Sequence, residues 1–192
     1  MPYDMPTYPI ETERLYLRPF RDDDLSDLYE YTSRPDVTQY LPWDTRTLQE
    51  TRDTLNQKKG RIALTDENSL YNLAVILQET NKLIGEVILF MRSVEFRQGE
   101  VGYVFNPAYH GRGYATEAAQ TMLKLGFETF HFHRIYARCD PRNTGSWKVM
   151  ERLGMRKEAH LIHNEIFKGE WGDELIYAIL ENEWRTKNGR NQ

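Results

Sequence analysis

The chain has 192 residues, 40% of them hydrophobic and 28% charged, with a net charge of -4 and a single cysteine, Cys139. That length suits one domain with a core that needs no disulfide or structural metal. The charge argues against a general nucleic-acid binder; the lone cysteine excludes a disulfide framework, and with no long apolar run or signal-peptide pattern a soluble cytoplasmic protein is expected.

The first ten residues, with prolines at positions 2, 6 and 9, predict an extended arm. Residues 14–18 alternate in strand fashion. Residues 22–33 predict a helix, with aspartates at its N-terminus and Leu25, Leu28 and Tyr29 on one face. A more polar helix is expected over 47–58. The loop between them, 35–44, carries Tyr40, Leu41 and Trp43, which either pack on the core or line a substrate site. Residues 72–78 and 83–90 predict a hairpin turned at 79–82. A third central strand, 100–105, ends at Asn106 and Pro107, since proline cannot donate to a ladder. A helix over 116–130 places Ala119, Met122, Leu123 and Phe127 on one side. There follow a short strand (135–139), a turn (140–143), a helix (146–153) stopped by Gly154, strands over 156–167 and 173–180, and a polar tail over 185–192.

Strands 100–105 and 135–139 are joined through a helix and so run parallel, whereas the earlier hairpin is antiparallel. The expected fold class is α+β: one domain spanning residues 1–192, with a mixed, mostly antiparallel sheet of about seven strands flanked by about four helices. Between the two parallel strands lies the loop His110, Gly111, Arg112, Gly113, Tyr114 and Ala115, which opens a helix. Its glycines let backbone approach a ligand, and the first helical turn presents unpaired N–H groups at the positive end of the helix dipole. Such a loop suits an anion such as a pyrophosphate, with Arg112 adding a charge, although glycines here also serve as plain turn residues. It fits neither the dinucleotide fingerprint, whose third glycine is replaced by Thr116, nor the phosphate loop, which needs Gly-Lys-Ser/Thr.

Eight segments in order carry a family resemblance: TERLYLRP (12–19), IGE (84–86), EVGY (100–103), HGRGYATEAA (110–119), HRI (133–135), DPRN (140–143), SWKVMERLG (146–154) and EWGD (170–173). Together the chain resembles the GCN5-related N-acetyltransferases (GNAT), in the branch that acetylates the N-termini of ribosomal proteins. The resemblance runs from about residue 12 to Trp184. It implies acetyl-CoA as donor, no metal, and a sheet splayed between the fourth and fifth strands.

The family's pyrophosphate loop, Gln/Arg-x-x-Gly-x-Gly/Ala, maps onto His110, Gly113 and Ala115, with His110 departing from the usual Gln or Arg. The backbone amides are then the main phosphate donors, and His110 is either an added contact or a surface histidine. The pantetheine arm is expected between the splayed strands, with a backbone N–H near Val104 or Phe105 polarising the thioester carbonyl. Asn143 either caps the next helix or bonds the cofactor's amide. The tyrosine that many members place seven residues after this asparagine is Met150 here. The branch points instead to Ser146 as proton donor, a residue equally suited to capping. Glu165 matches the branch's carboxylate, as base or as binder of the amine, and Glu100 is the second candidate base. Asp173 and Tyr177 are expected to be structural, and Cys139 a small buried hydrophobe, since a covalent acetyl-cysteine route lacks an activating base.

The resemblance thus implies an enzyme that moves acetyl from acetyl-CoA directly to a primary amine, the α-amine of a ribosomal protein. Polyamines, aminoglycosides or other small amines remain alternatives, as does a non-catalytic acyl-CoA sensor. Nucleic acid and membrane are not expected partners, and the chain is expected to be a monomer or homodimer.

Overall fold

In the computed structural model, which describes residues 3–189, alternation along the strands sets the architecture. Leu15 and Leu17 of β2 (Leu15–Arg18) and Leu73 and Val75 of β3 (Leu70–Leu77) turn to one face; Tyr16, Ala74 and Ile76 turn to the other. Both faces are therefore covered. One core lies under α4 (Tyr114–Lys124) and α5 (Thr144–Arg152), the other under α1 (Leu25–Thr32) and α3 (Leu48–Lys59).

The sheet has eight strands in the order β1-β2-β3-β4-β5-β6-β8-β7. The remaining strands are β1 (Ile10–Glu11), β4 (Lys82–Ser93), β5 (Gln98–Phe105), β6 (Arg134–Cys139), β7 (Arg156–Phe167) and β8 (Glu170–Leu180). The expected α+β fold and parallel crossover are both present: β5 and β6 run parallel and every other neighbouring pair is antiparallel. The count exceeds the expected seven because part of the arm pairs, Ile10 with Leu17 and Glu11 with Tyr16. The arm is docked further by Tyr3 edge-on to Phe130 and by a hydrogen bond between the Tyr8 and Tyr71 hydroxyls. Residues 1 and 2 of the arm, and 190–192 of the tail, lie outside the described residues.

Three further boundaries differ from expectation. Pro35 at the first helical position nucleates one turn, α2 (Pro35–Thr38), where a loop was expected. The long helix starts at Tyr114, and its last stretch, Leu125–Thr129, widens to a π turn closed by Phe130 N donating to Leu125 O at 2.9 Å. The polar tail is in part helical, as α6 (Glu181–Gly189), because the buried Trp184 anchors it against Phe127 at 5.7 Å.

β5 pairs with β6 at only three positions: Gln98 with Arg134, Gly99 with Ile135 and Glu100 with Tyr136. Beyond them β5 stays with β4, up to Phe105 opposite Gly85, while β6 stays with β8, up to Cys139 opposite Leu175. The strands diverge, and a gap opens between them at the N-terminal ends of α4 and α5. No Cβ fits at Gly85, where it would lie 2.6 Å from both the Phe105 ring and the Val104 carbonyl, so this close pairing requires glycine.

Beneath α3 an ion pair is sealed in the core: the Lys58 ammonium contacts Glu86, which also accepts from Asn72 Nδ2 at 3.0 Å. Burial pushes the Lys58 ammonium down, and Glu86 only partly restores it. Removing one partner strands the other charge in the core. Lys58→Met is expected to cost about 3–5 kcal/mol in denaturant unfolding, and Lys58→Met/Glu86→Leu to recover much of that loss. A double variant as unstable as the single one would show that the pair does not behave as a buried ion pair.

Candidate active site

The loop that opens α4 has the conformation its glycines allow. Gly111 has φ 75° and Gly113, the N-cap, φ 83°. A Cβ at Gly111 would meet nothing within 4 Å, so the backbone angle itself is what favours glycine there. The first bond into the helix runs from Glu117 N to Gly113 O at 3.1 Å. The amides of Tyr114, Ala115 and Thr116 are left without helical partners, and the buried Thr116 hydroxyl also lacks one. A hydroxyl and three amides at the positive end of a helix suit a phosphate group. The Arg112 guanidinium lies 6.0 Å over the Tyr109 ring.

The loop is held from a distance by the start of β2. Glu117 accepts from Thr12 Oγ1 at 2.6 Å, from Arg14 N at 2.8 Å and from Arg14 Nε at 2.8 Å, while Arg14 Nη1 donates to the Arg112 carbonyl at 2.8 Å. The Arg14 guanidinium also lies 4.7 Å over Tyr114. Both residues are in the TERLYLRP segment, but nothing in that segment points to Glu117. His110 serves the same scaffold. Its Nε2 lies 3.1 Å from the Phe105 carbonyl, tying the loop to the end of β5. Asn106 completes the junction, its Nδ2 donating to Glu30 at 2.8 Å and its Oδ1 accepting from Ala108 N at 3.1 Å.

At the gap, Asn143 is the helix cap: its Oδ1 accepts from Ser146 N at 3.2 Å, and α5 accordingly begins at Thr144 rather than at Ser146. The Ser146 side chain is thereby released from capping. Its Oγ lies 3.2 Å from the Tyr103 hydroxyl, which reaches across from β5 and also donates to the Ser146 carbonyl at 2.8 Å. Burial pushes the Cys139 thiol up to about 11, outweighing Ser146, which lowers it, and so keeps it protonated and unsuited to nucleophilic attack. Burial likewise pushes the Tyr103 hydroxyl up. Met150 is 1% exposed in the core. Nothing local to the EVGY segment indicates which residue Tyr103 meets, because its partner lies 43 residues away.

The opposite face of the sheet carries a ladder of alternating charge. Glu100 is held by Arg92 at 2.8 Å and Arg138 at 3.3 Å; Arg138 also holds Glu174 at 3.0 Å, and Asn164 Nδ2 donates to Glu174 at 3.1 Å. Each Glu100 oxygen thus faces a guanidinium, so both are already engaged in ion pairs and neither is free to take up a substrate amine. Burial pushes Glu174 up, Arg138 opposes this, and the nearby Glu165 and Glu100 add to it. Glu165 is exposed on β7, opposite Gly172. At the tip of this hairpin, Lys168 Nζ donates to the Thr38 carbonyl at 2.9 Å and the Trp43 carbonyl at 3.3 Å, and pairs with Asp44 at 2.9 Å. The aromatic loop is pinned between this lysine and Arg142, whose guanidinium lies 5.9 Å over Tyr40. Asp173 bonds His163 N at 3.0 Å and Tyr177 bonds Glu151 at 3.3 Å. Among the described residues no cluster of three His, Cys, Asp or Glu is placed to hold a metal, and no helix is long and apolar enough to cross a membrane.

For Glu117, burial raises the pKa, but the bonds and charge from Thr12 and Arg14 outweigh it, leaving the carboxyl below its ordinary 4.5. The clamp's stabilisation is therefore complete above that ordinary value and is lost as pH falls through the lowered one. Glu117→Gln is expected to flatten the acid limb of melting temperature against pH below about pH 5. An unchanged acid limb would remove Glu117 from this account.

The family model described as "Acetyltransferase (GNAT) domain" matches residues 14–156. The chain is 40% identical over 176 residues to the "Uncharacterized N-acetyltransferase YnaD" of Bacillus subtilis (strain 168), covering 91% of this chain and 98% of that one. It is 25% identical over 188 residues to the "[Ribosomal protein uS5]-alanine N-acetyltransferase" of Escherichia coli (strain K12), covering 94% and 95%. Among solved structures, a GNAT-family acetyltransferase from Bacillus anthracis superposes with TM-score 0.82 at 41% identity, covering 91% and 99%. A spermidine N-acetyltransferase from Vibrio cholerae, in complex with CoA and spermine, superposes with TM-score 0.75 at 21% identity, covering 90% and 99%.

Proposed function

The chain belongs to the GNAT acetyltransferase family, and on that premise we propose that it transfers acetyl from acetyl-CoA directly to the α-amine of a protein N-terminus, a ribosomal protein being the favoured acceptor. The observation that carries the site assignment is the meeting of two features: the open N-terminus of α4 and the gap where β5 leaves β6. The family uses acetyl-CoA, and these residues fit it. Gly111, Arg112, Gly113, Tyr114, Ala115 and the unpartnered Thr116 hydroxyl would hold the pyrophosphate. His110 positions this loop by bonding Phe105 O.

Of Val104 and Phe105, the backbone supports Phe105 as the polarising amide. Asn106 N donates to Ile84 O on the β4 side. Alternation along an antiparallel strand then turns the Val104 amide to β4 and the Phe105 amide toward the gap. A fixed N–H aimed at a developing oxyanion contributes charge stabilisation without needing a particular side chain. Ser146, freed from capping, faces the same gap. Glu165 receives the proton lost by the amine or holds the amine as ammonium, next to the buried Glu174. Glu100 anchors the ladder through Arg92 and Arg138. The partly buried, protonated Cys139 supports direct transfer over an acetyl-cysteine route.

The ribosomal-protein acceptor rests on the family branch and on the relative whose name records that activity. A small polyamine is the second reading, favoured by the paired carboxylates Glu165 and Glu174 and by a structural neighbour bound to spermine. Thiol release from acetyl-CoA against N-terminal peptides and polyamines separates the two. Turnover with peptides alone is expected; turnover with spermidine alone transfers the assignment to the second reading, and CoA binding without thiol release from any amine overturns both. Glu165→Gln is expected to lower kcat about 100-fold with a smaller change in KM, whereas an unchanged kcat would remove Glu165 from the chemistry.

A further inference from the structure

Tyr103 is the side chain that spans the gap. Its strand has parted from β6, yet its hydroxyl meets both the carbonyl and the hydroxyl of Ser146 on α5, at 2.8 and 3.2 Å. Tyr103, Ala115, Cys139 and Trp147 are only partly buried and fringe the core on the face that carries α4 and α5. Three protic groups therefore share one site: a phenol, an alcohol and a thiol. Among the described residues no cation lies close enough to shift either Tyr103 or Cys139.

Cys139 reports how a thiol behaves in this gap. Its thiol is pushed up by burial, so an anionic sulfur on this rim of the gap is poorly solvated. Such a sulfur needs a hydrogen-bond donor, and Met150 has none to give. Burial keeps the phenol protonated, and its one proton rests on the Ser146 carbonyl until a more basic acceptor forms in the gap.

We propose that Tyr103 is a catalytic residue that donates its hydroxyl proton to the leaving sulfur, with Ser146 as the partner that aims it. This rests on the acetyltransferase reading of the site. The acceptor nitrogen bonds to the acetyl carbon, and the carbon–sulfur bond breaks with its electron pair on sulfur. That sulfur takes the Tyr103 proton. Tyr103 recovers a proton from solvent, and the proton lost by nitrogen passes through Glu165 to solvent. The net change is one proton moved from nitrogen to sulfur.

Two readings of the wild type, Tyr103→Phe and Ser146→Ala test this. The first is the titration of the thiol of bound CoA by its thiolate absorbance, taken as a difference against S-methyl-CoA. In Tyr103→Phe the bound thiol is expected to ionise at least about one pH unit higher than in the wild type, because a donor to the charged form is lost. Ser146→Ala, which retains the bond from Tyr103 to the backbone carbonyl, is expected to shift it less. The second is transfer from two donors. Tyr103→Phe is expected to lose about 100-fold in turnover with acetyl-CoA. With S-acetyl thiophenol, whose acidic thiolate leaves without a proton, it is expected to lose less than about threefold.

Identical titration in wild type and Tyr103→Phe overturns the proposal, as do equal losses with both donors, which mark a packing role. A larger thiol shift in Ser146→Ala than in Tyr103→Phe overturns it by assigning the proton to Ser146. A wild type that acetylates no amine overturns the acetyltransferase reading together with this one. A wild type that does so, matched by Tyr103→Phe, overturns the role of Tyr103 alone.

Discussion

The site depends on a pairing that stops. β5 and β6 share three register positions, after which each follows its antiparallel neighbour: β5 remains with β4 and β6 with β8. Antiparallel ladders on both outer sides hold the two strands more extensively than the short parallel ladder between them, and sheet twist carries them apart. Backbone that has lost its partner strand must find other hydrogen bonds. The Phe105 carbonyl finds the His110 ring, and the Tyr103 hydroxyl reaches Ser146. The gap is thus a place where a polar, extended ligand can supply what the sheet does not.

Around this gap, the groups left unpaired and the groups that anchor the backbone are different ones. The amides that open α4 and the Thr116 hydroxyl are left without partners, while side chains fix the loop in place. Arg14 spends its guanidinium on Glu117 and on the Arg112 carbonyl, so its charge is largely committed to structure. A loop of two left-handed glycines would otherwise lose much of its order to backbone entropy. The carboxylate of Glu117 also sits in the first turn of α4, where the helix dipole favours it.

On the other face the alternating charges of Arg92, Glu100, Arg138 and Glu174 cross four strands. Each charge there has an opposite neighbour, which lets ionised side chains line a partly buried surface. Glu165 stands at the end of the ladder without a guanidinium of its own among the interactions described, and so differs from the carboxylates beside it. The Lys168 contact brings the tip of the β7–β8 hairpin onto the aromatic loop, so this edge of the sheet is bounded by elements far apart in the chain.

The sequence by itself determined most of the elements and their order. Period-two alternation marks the strands, the aspartate cluster and Gly154 mark helix ends, and a helix between two apolar strands requires a parallel crossover. The glycine loop was legible for the same reason: left-handed backbone and a helix N-terminus are local properties. Its match to a family came from the order and spacing of short segments. The tertiary structure alone decided which residues meet. Arg14 and Glu117 are 103 residues apart, Tyr103 and Ser146 are 43 apart, and Lys58 and Glu86 are 28 apart. Asn143 rather than Ser146 became the helix cap, and Glu100 was placed between two arginines, because helix start and strand register are settled by packing. Local patterns specify which way a side chain faces, whereas its partner depends on how independently formed elements pack together.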